Sequence, residues 1–122
     1  MSQSVLIVDD SGYARSTLRR TLEEAGYDVV GEAPNGVAAL DQIVSLEPDL
    51  VTLDNILPDM TGLDILKALG DRELKSKIMM ISAVGQQSTI EDCLNSGASI
   101  YLIKPYTSEQ LLVEVKKLLN AS

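Results

Sequence analysis

A chain of 122 residues with 18 acidic against 10 basic side chains carries a net charge of −8, and it lacks the clustered Lys and Arg that binding to a nucleic-acid backbone requires. Its 45% hydrophobic and 23% charged residues match a soluble globular domain, long enough to bury roughly two thirds of its unfolded surface. Four Tyr with no Trp or Phe offer few stacking platforms for single strands, no apolar run approaches the ~18 residues of a membrane span, and no secretory leader pattern is present; protein partners and a cytoplasmic location are therefore expected.

Residues 5–8 form a short, continuously apolar run that predicts a first strand, with Asp9 and Asp10 directly after it. Ser11 is a candidate N-cap, and Ala14, Leu18, Leu22 and Ala25 recur near helical spacing up to Gly26, a left-handed stop. Residues 27–33 predict a second strand. Asn35 and Gly36 open a second helix whose buried face would be Val37, Leu40, Ile43 and Val44, ending before Pro48. Residues 50–53 predict the third strand, followed at once by Asp54, and residues 63–69 a third helix interrupted by Gly70 and Asp71. A fourth strand over 78–81 is ended by Ser82; the helix after it has Ser88 as candidate cap and Gly97 as its stop. Cys93, the one cysteine, has no disulfide partner and reads as a small residue on that helix. Residues 99–103 predict the fifth strand, Lys104 follows it, and Thr107 caps a last helix facing inward through Leu111, Val115, Leu118 and Leu119.

Five short strands that read as buried on both faces and alternate with five helices predict an α/β fold with a parallel sheet covered on both faces. Residues 1–122 leave no length for a second domain, so an output module is not expected and the partner would be reached by docking. Asp9, Asp10, Asp54, Ser82 and Lys104 all fall just past carboxyl ends of strands, where open α/β sheets bind ligands, which makes them one site. Three carboxylates gathered there repel one another by several kcal/mol, an order-of-magnitude cost that a cation relieves. Hard oxygen ligands with no His in the chain select Mg²⁺, with Mn²⁺ as the alternative.

Residues 6–10 (Leu-Ile-Val-Asp-Asp), Leu53 and Asp54 with Leu57, Pro58 and residues 60–62 (Met-Thr-Gly), residues 81–83 (Ile-Ser-Ala) and 103–105 (Ile-Lys-Pro) resemble the receiver domain of two-component response regulators. Within that family the free-standing chemotaxis regulators are most similar. The resemblance implies a flavodoxin-like sheet in the order 2-1-3-4-5. It also implies that Asp54 is the phosphoacceptor, that Asp10 and Asp54 ligate the metal with the Ile56 carbonyl, and that Asp9 does so mainly through water. Lys104 and Ser82 would answer the phosphoryl group, Tyr101 would turn inward behind Ser82, and the Lys104–Pro105 bond would be cis, as X-Pro bonds can be. The face read by a partner would include Tyr101, Tyr106, Ile90 and Leu94. Apolar Ile56 and Val84, flanking the path of the hydrolytic water in the family, imply slow self-dephosphorylation.

The donor histidine must come from another protein, a sensor histidine kinase, because the chain has none. The expected role is a monomeric signalling switch rather than a turnover enzyme, docking on a flagellar switch protein and cleared by a separate phosphatase. A phosphorelay intermediate that passes the group to a histidine phosphotransfer protein is the alternative. A Mg²⁺-dependent phosphohydrolase using an aspartyl phosphate fits less well, since Ile56 stands where it needs a general acid. A flavodoxin-like electron carrier fails because Asp9 and Asp10 would repel the flavin phosphate.

Overall fold

The computed structural model describes residues 2–70 and 72–120. The chain alternates β1 (Ser4–Val8), α1 (Gly12–Glu24), β2 (Asp28–Ala33), α2 (Gly36–Leu46), β3 (Leu50–Leu53), α3 (Gly62–Leu69), β4 (Lys77–Ser82), α4 (Gln87–Asn95), β5 (Ile100–Ile103) and α5 (Ser108–Asn120). All pairings are parallel, and the sheet runs β2-β1-β3-β4-β5. This is the flavodoxin-like arrangement, in which the order reverses beside β1 and opens a crevice between the β1 and β3 loops.

Side-chain alternation along the strands divides the core into two layers. Leu6, Val8, Val51, Leu53, Ile78 and Met80 meet Ala39, Ile43, Ile65, Leu66 and Cys93 beneath α2, α3 and α4. Val5, Ile7, Leu50, Met79 and Ile81 meet Leu18, Leu22, Leu111 and Val115 beneath α1 and α5. Among the described residues no helix is long and apolar enough to cross a membrane.

Helix ends follow the local chemistry. Ser11 accepts from Ala14 N, Asn35 from Ala38 N, and Thr61 forms a reciprocal capping box with Asp64. Thr107 and Gln110 exchange the same pair of bonds at the start of α5. Gly26 and Gly97 have φ of 94° and 119° and stop α1 and α4. Gly70 caps α3; Asp71, the other half of the expected break, lies outside the described residues.

Four expectations are corrected. Ser88 is not the cap of α4, which starts at Gln87 with Gln86 in the cap position and no side-chain cap bond. The α2 helix buries Gly36, Ala39 and Ile43, while Val37 and Val44 are exposed. Gly36 seats against the Met60 side chain and Ala39 packs in the core, so the inward face keeps Ile43 but is turned by about one residue from Val37 and Val44. Ala25 is exposed because the chain has left α1 by then. The sheet is buried on both faces only in its centre: β2 alternates and β5 is half-buried, as edge strands covered by fewer neighbours must be.

Asp49, just before β3, shows how the sheet is tied at its amino end. Its Oδ2 accepts from the Ser4 backbone N–H at 2.8 Å and the Ser4 hydroxyl at 3.1 Å, with Lys75 3.5 Å from Oδ1. The Ser4 amide first, then its hydroxyl and Lys75, outweigh burial and hold this carboxyl below its ordinary pKa. A lowered folded-state pKa gives stability that is present above the unfolded value and lost as pH falls through the folded one. Asp49→Ala is expected to cost about 1–2 kcal/mol at neutral pH. That difference should close in acid, once the wild-type carboxylate is protonated, in thermal melts run against pH.

Candidate metal centre

Three of the site residues, Asp9, Asp54 and Lys104, arrive by a hydrogen bond that continues the sheet past its end. Asp9 N donates to Ala33 O at 3.1 Å, Asp54 N to Val8 O at 3.0 Å, and Lys104 N to Ser82 O at 2.9 Å. Residues far apart in sequence are thereby set side by side. Carboxylate oxygens of Asp9, Asp10 and Asp54 lie within 4.8 Å of one another. Lys104 Nζ reaches Asp9 Oδ2 at 3.2 Å and Asp54 Oδ2 at 3.4 Å, so one ammonium stands against three carboxylates.

The surroundings fix these groups closely. Asp9 Oδ1 accepts from Ser11 N at 2.9 Å and Asp54 Oδ1 from Ile56 N at 3.2 Å. Burial pushes the Asp54 carboxyl up from its ordinary pKa, with the Asp9 charge adding to the rise, and the Ile56 amide and Lys104 only partly offset this. Burial likewise works against the Lys104 ammonium, yet the charges and bonds of Asp54 and Asp9 outweigh it and hold its pKa above the usual value.

The donor set fits a hard divalent cation. Asp9 and Asp54 are mostly shielded while Asp10 is exposed, which leaves a solvent side for waters and a phosphate oxygen, the coordination Mg²⁺ prefers. Ile56 is on the exposed stretch after Asp54, bridged in antiparallel fashion to Thr61.

Ser82 ends β4 almost wholly buried, its hydroxyl accepting from Val84 N at 3.2 Å. Tyr101 packs against the α2–α4 layer and donates from its hydroxyl to Val84 O at 2.5 Å, so both side chains grip the loop after β4. The Lys104–Pro105 peptide bond is cis. Ile90 is half-buried and Leu94 exposed on α4, with exposed Ile103 and Val113 on the neighbouring β5 and α5. Tyr106 is half-buried. It packs on the opposite, α1/α5 face of the sheet and lines a cleft of about 470 Å³ with Asp9, Asp54, Lys104, Thr52 and Ala14.

Nothing in the sequence pattern marks several residues that hold the site together. Asn55, almost fully buried, accepts from Leu63 N through Oδ1 and from Gly62 N through its carbonyl. Asp59 caps α2 from across the crevice, taking Gly36 N at 2.7 Å and Val37 N at 3.0 Å. Thr52 lines the cleft, and its Oγ1 is, among the described residues, a buried side-chain oxygen without a partner. Only Asn55 carried a visible hint, its place directly after Asp54.

A response regulator receiver domain family model matches residues 5–116. The chain belongs to the response regulator receiver family. The receiver is 37% identical over 120 residues to the chemotaxis protein CheY of Bacillus subtilis, covering 98% of this chain and 100% of that one. It is 36% identical to CheY of Thermotoga maritima, over 96% and 98% of the two chains. Among solved structures, the CheX–CheY–BeF₃–Mg²⁺ complex of Borrelia burgdorferi matches with a TM-score of 0.90 at 30% identity, covering 95% of this receiver and 88% of that chain. Receivers are components of two-component signalling, and the Asp9, Asp10 and Asp54 cluster is compatible with Mg²⁺.

Proposed function

We propose that this receiver is a phosphorylation-dependent switch in which Asp54 takes a phosphoryl group from a sensor histidine kinase. The observation that carries the reading is the convergence of Lys104 Nζ on Asp9 and Asp54, from 95 and 50 residues away in the chain. Asp10, Asp54 and the Ile56 carbonyl would hold Mg²⁺, with Asp9 acting mainly through water. When bound, the cation supplies charge neutralisation for the three acids and for the oxygens of the transferring group.

In the transfer an Asp54 carboxylate oxygen forms the new O–P bond as the P–N bond of the donor's phosphohistidine breaks, and the freed imidazole leaves as the base. Lys104 meets the developing charge on the phosphoryl oxygens; positioning and electrostatics do most of the work. The product adds about −1.5 to −2 charge units beside Ser82 and Lys104. Ser82 would exchange its bond to Val84 N for one to the phosphoryl group, while Tyr101 holds Val84 O inside. The loop after β4 would then set the exposed face of Leu94, Ile103 and Val113, where a partner reads the state.

Chemotaxis is the finer reading, supported by full-length similarity to proteins named CheY and by a solved relative bound to CheX. The target would then be a flagellar switch protein, with the cytoplasm as the working compartment. Intact-mass spectrometry of the chain with acetyl phosphate and Mg²⁺ should find one added phosphoryl group, mapped by peptide digestion to Asp54. No adduct, or one on another residue, would remove the reading. Recovery of a histidine phosphotransfer protein instead of switch protein, in pull-downs that need Asp54, would favour the relay.

Exposed Ile56 and half-buried Val84 offer no hydrogen bond to a hydrolytic water. The phosphorylated protein, freed of donor, is expected to keep its added mass well beyond seconds in Mg²⁺ buffer. Loss within seconds contradicts this, and substitution of polar side chains at both positions should shorten the lifetime.

A further inference from the structure

The loop carrying Asp9 and Asp10 is held from outside the carboxylate cluster. Arg15, one turn into α1, donates from Nη1 to the Asp9 carbonyl at 2.6 Å and from Nε to Glu32 Oε1 at 3.1 Å. Arg19, one turn further, donates from Nε to Glu32 Oε2 at 2.7 Å and from Nη1 to Glu23 at 3.3 Å. Both oxygens of Glu32 are taken by guanidinium groups of successive helical turns. Glu32 itself is fixed on β2, in register with Ile7 of β1, one residue before the Ala33 carbonyl that accepts from Asp9 N. The Arg15 side chain is only 19% exposed, so this is not a pair of free surface chains whose geometry solvent would blur.

We propose that Arg15 and Glu32 are positioning residues for the cation: Glu32, steadied by Arg19, aims Arg15 at the Asp9 carbonyl and thereby sets where the Asp9 and Asp10 carboxylates face. The inference rests on the reading that these carboxylates hold Mg²⁺. A planar guanidinium is required because one group must satisfy a carbonyl and a carboxylate in fixed directions, which an ammonium on a flexible stem does poorly. Groups that orient metal ligands from behind typically matter tenfold or more in affinity.

Charge and position predict opposite signs, which makes the proposal decidable. Arg15 is a cation near a cation site, so a purely electrostatic role means that Arg15→Met binds Mg²⁺ more tightly. A positioning role means that it binds more weakly. Calorimetric titration of the full chain with MgCl₂ is expected to give roughly tenfold weaker binding for Arg15→Met and Arg15→Lys. Glu32→Gln should move in the same direction, and Arg20→Met, which removes an exposed charge from the same helix, should stay at wild-type affinity or tighten slightly. Amide hydrogen exchange of residues 9–12, measured without metal, should quicken in both Arg15 variants and in Glu32→Gln.

Arg15→Met binding at or above wild-type affinity, or unchanged exchange in that loop, overturns the proposal. If circular dichroism finds Arg15→Met unfolded, Arg15→Lys decides, since it keeps the charge and a wild-type affinity there would sink the positioning role. Wild-type protein that takes up no Mg²⁺ at all would instead remove the metal reading beneath it, a result the variants cannot mimic.

Discussion

Lys104→Met is expected to slow phosphorylation of the chain by acetyl phosphate about a hundredfold or more, while Mg²⁺ binds more tightly than to wild type. The ammonium lies 3.2 Å from Asp9 and 3.4 Å from Asp54, so it meets both the resting carboxylates and any charge that gathers at phosphorus during transfer. Methionine keeps most of the apolar stem along the cleft and removes only the donor and its charge. The carboxylates then lose their fixed counter-charge, and a divalent ion gains from the uncompensated field. Rate and affinity therefore move in opposite directions, which a merely misfolded site would not do. The Lys104 pKa is raised in the fold, and stability from such a pair is present below the unfolded value and lost only as pH rises through the folded one. Neither effect should vary between roughly pH 6 and 9, well below the lysine range. A time course of intact mass, with calorimetry alongside, checks both; transfer at the wild-type rate would remove Lys104 from the mechanism.

The fold was legible because its signals are short-range and redundant. Strand-length runs of four to seven residues separated by helical periodicity and punctuated by Gly26, Asn35 and Gly97 leave little choice but a parallel sheet, and the order of its strands followed from resemblance rather than from periodicity. The polar residues at strand ends were legible for a related reason: a buried sheet edge tolerates Asp9, Asp54 and Ser82 only where they face a crevice. What stayed hidden depends on distances between elements. The rotation of α2 seats Gly36 against Met60 and Ala39 in the core, whereas aliphatic spacing alone favoured Val37 and Val44. Tyr106 and Tyr101 are both aromatic and five residues apart, yet the turn after β5 sends them to opposite faces. Arg15 is one of three arginines on α1, and helical spacing alone does not say which of them meets the Asp9 carbonyl.

Gly62→Ala is expected to destabilise the fold by about 1–3 kcal/mol and, unlike a change of similar cost elsewhere, to weaken Mg²⁺ binding and phosphorylation with it. Gly62 opens α3, where its N–H bonds to Asn55 O at 2.8 Å. A methyl group there would stand 2.9 Å from the Asp54 carbonyl oxygen and 3.1 Å from Asn55 Cα, and would also press on the Met80 methyl. Met80 can swing aside, but the backbone atoms belong to the strand end that carries the Asp54 carboxylate, so relief of the clash must move Asp54 itself. Gly97→Ala is the matched comparison. Its φ of +119° strains any L side chain while the space around it is open, at a cost of about 1–2 kcal/mol. Thermal melts should place both variants below wild type; magnesium titration and phosphate uptake should separate them, with only the Gly62 variant impaired. Equal binding by the two would mean that the β3–α3 loop can yield without carrying the carboxylate along, and that Asp54 is held by Lys104 and Ile56 N rather than by the close seat of α3.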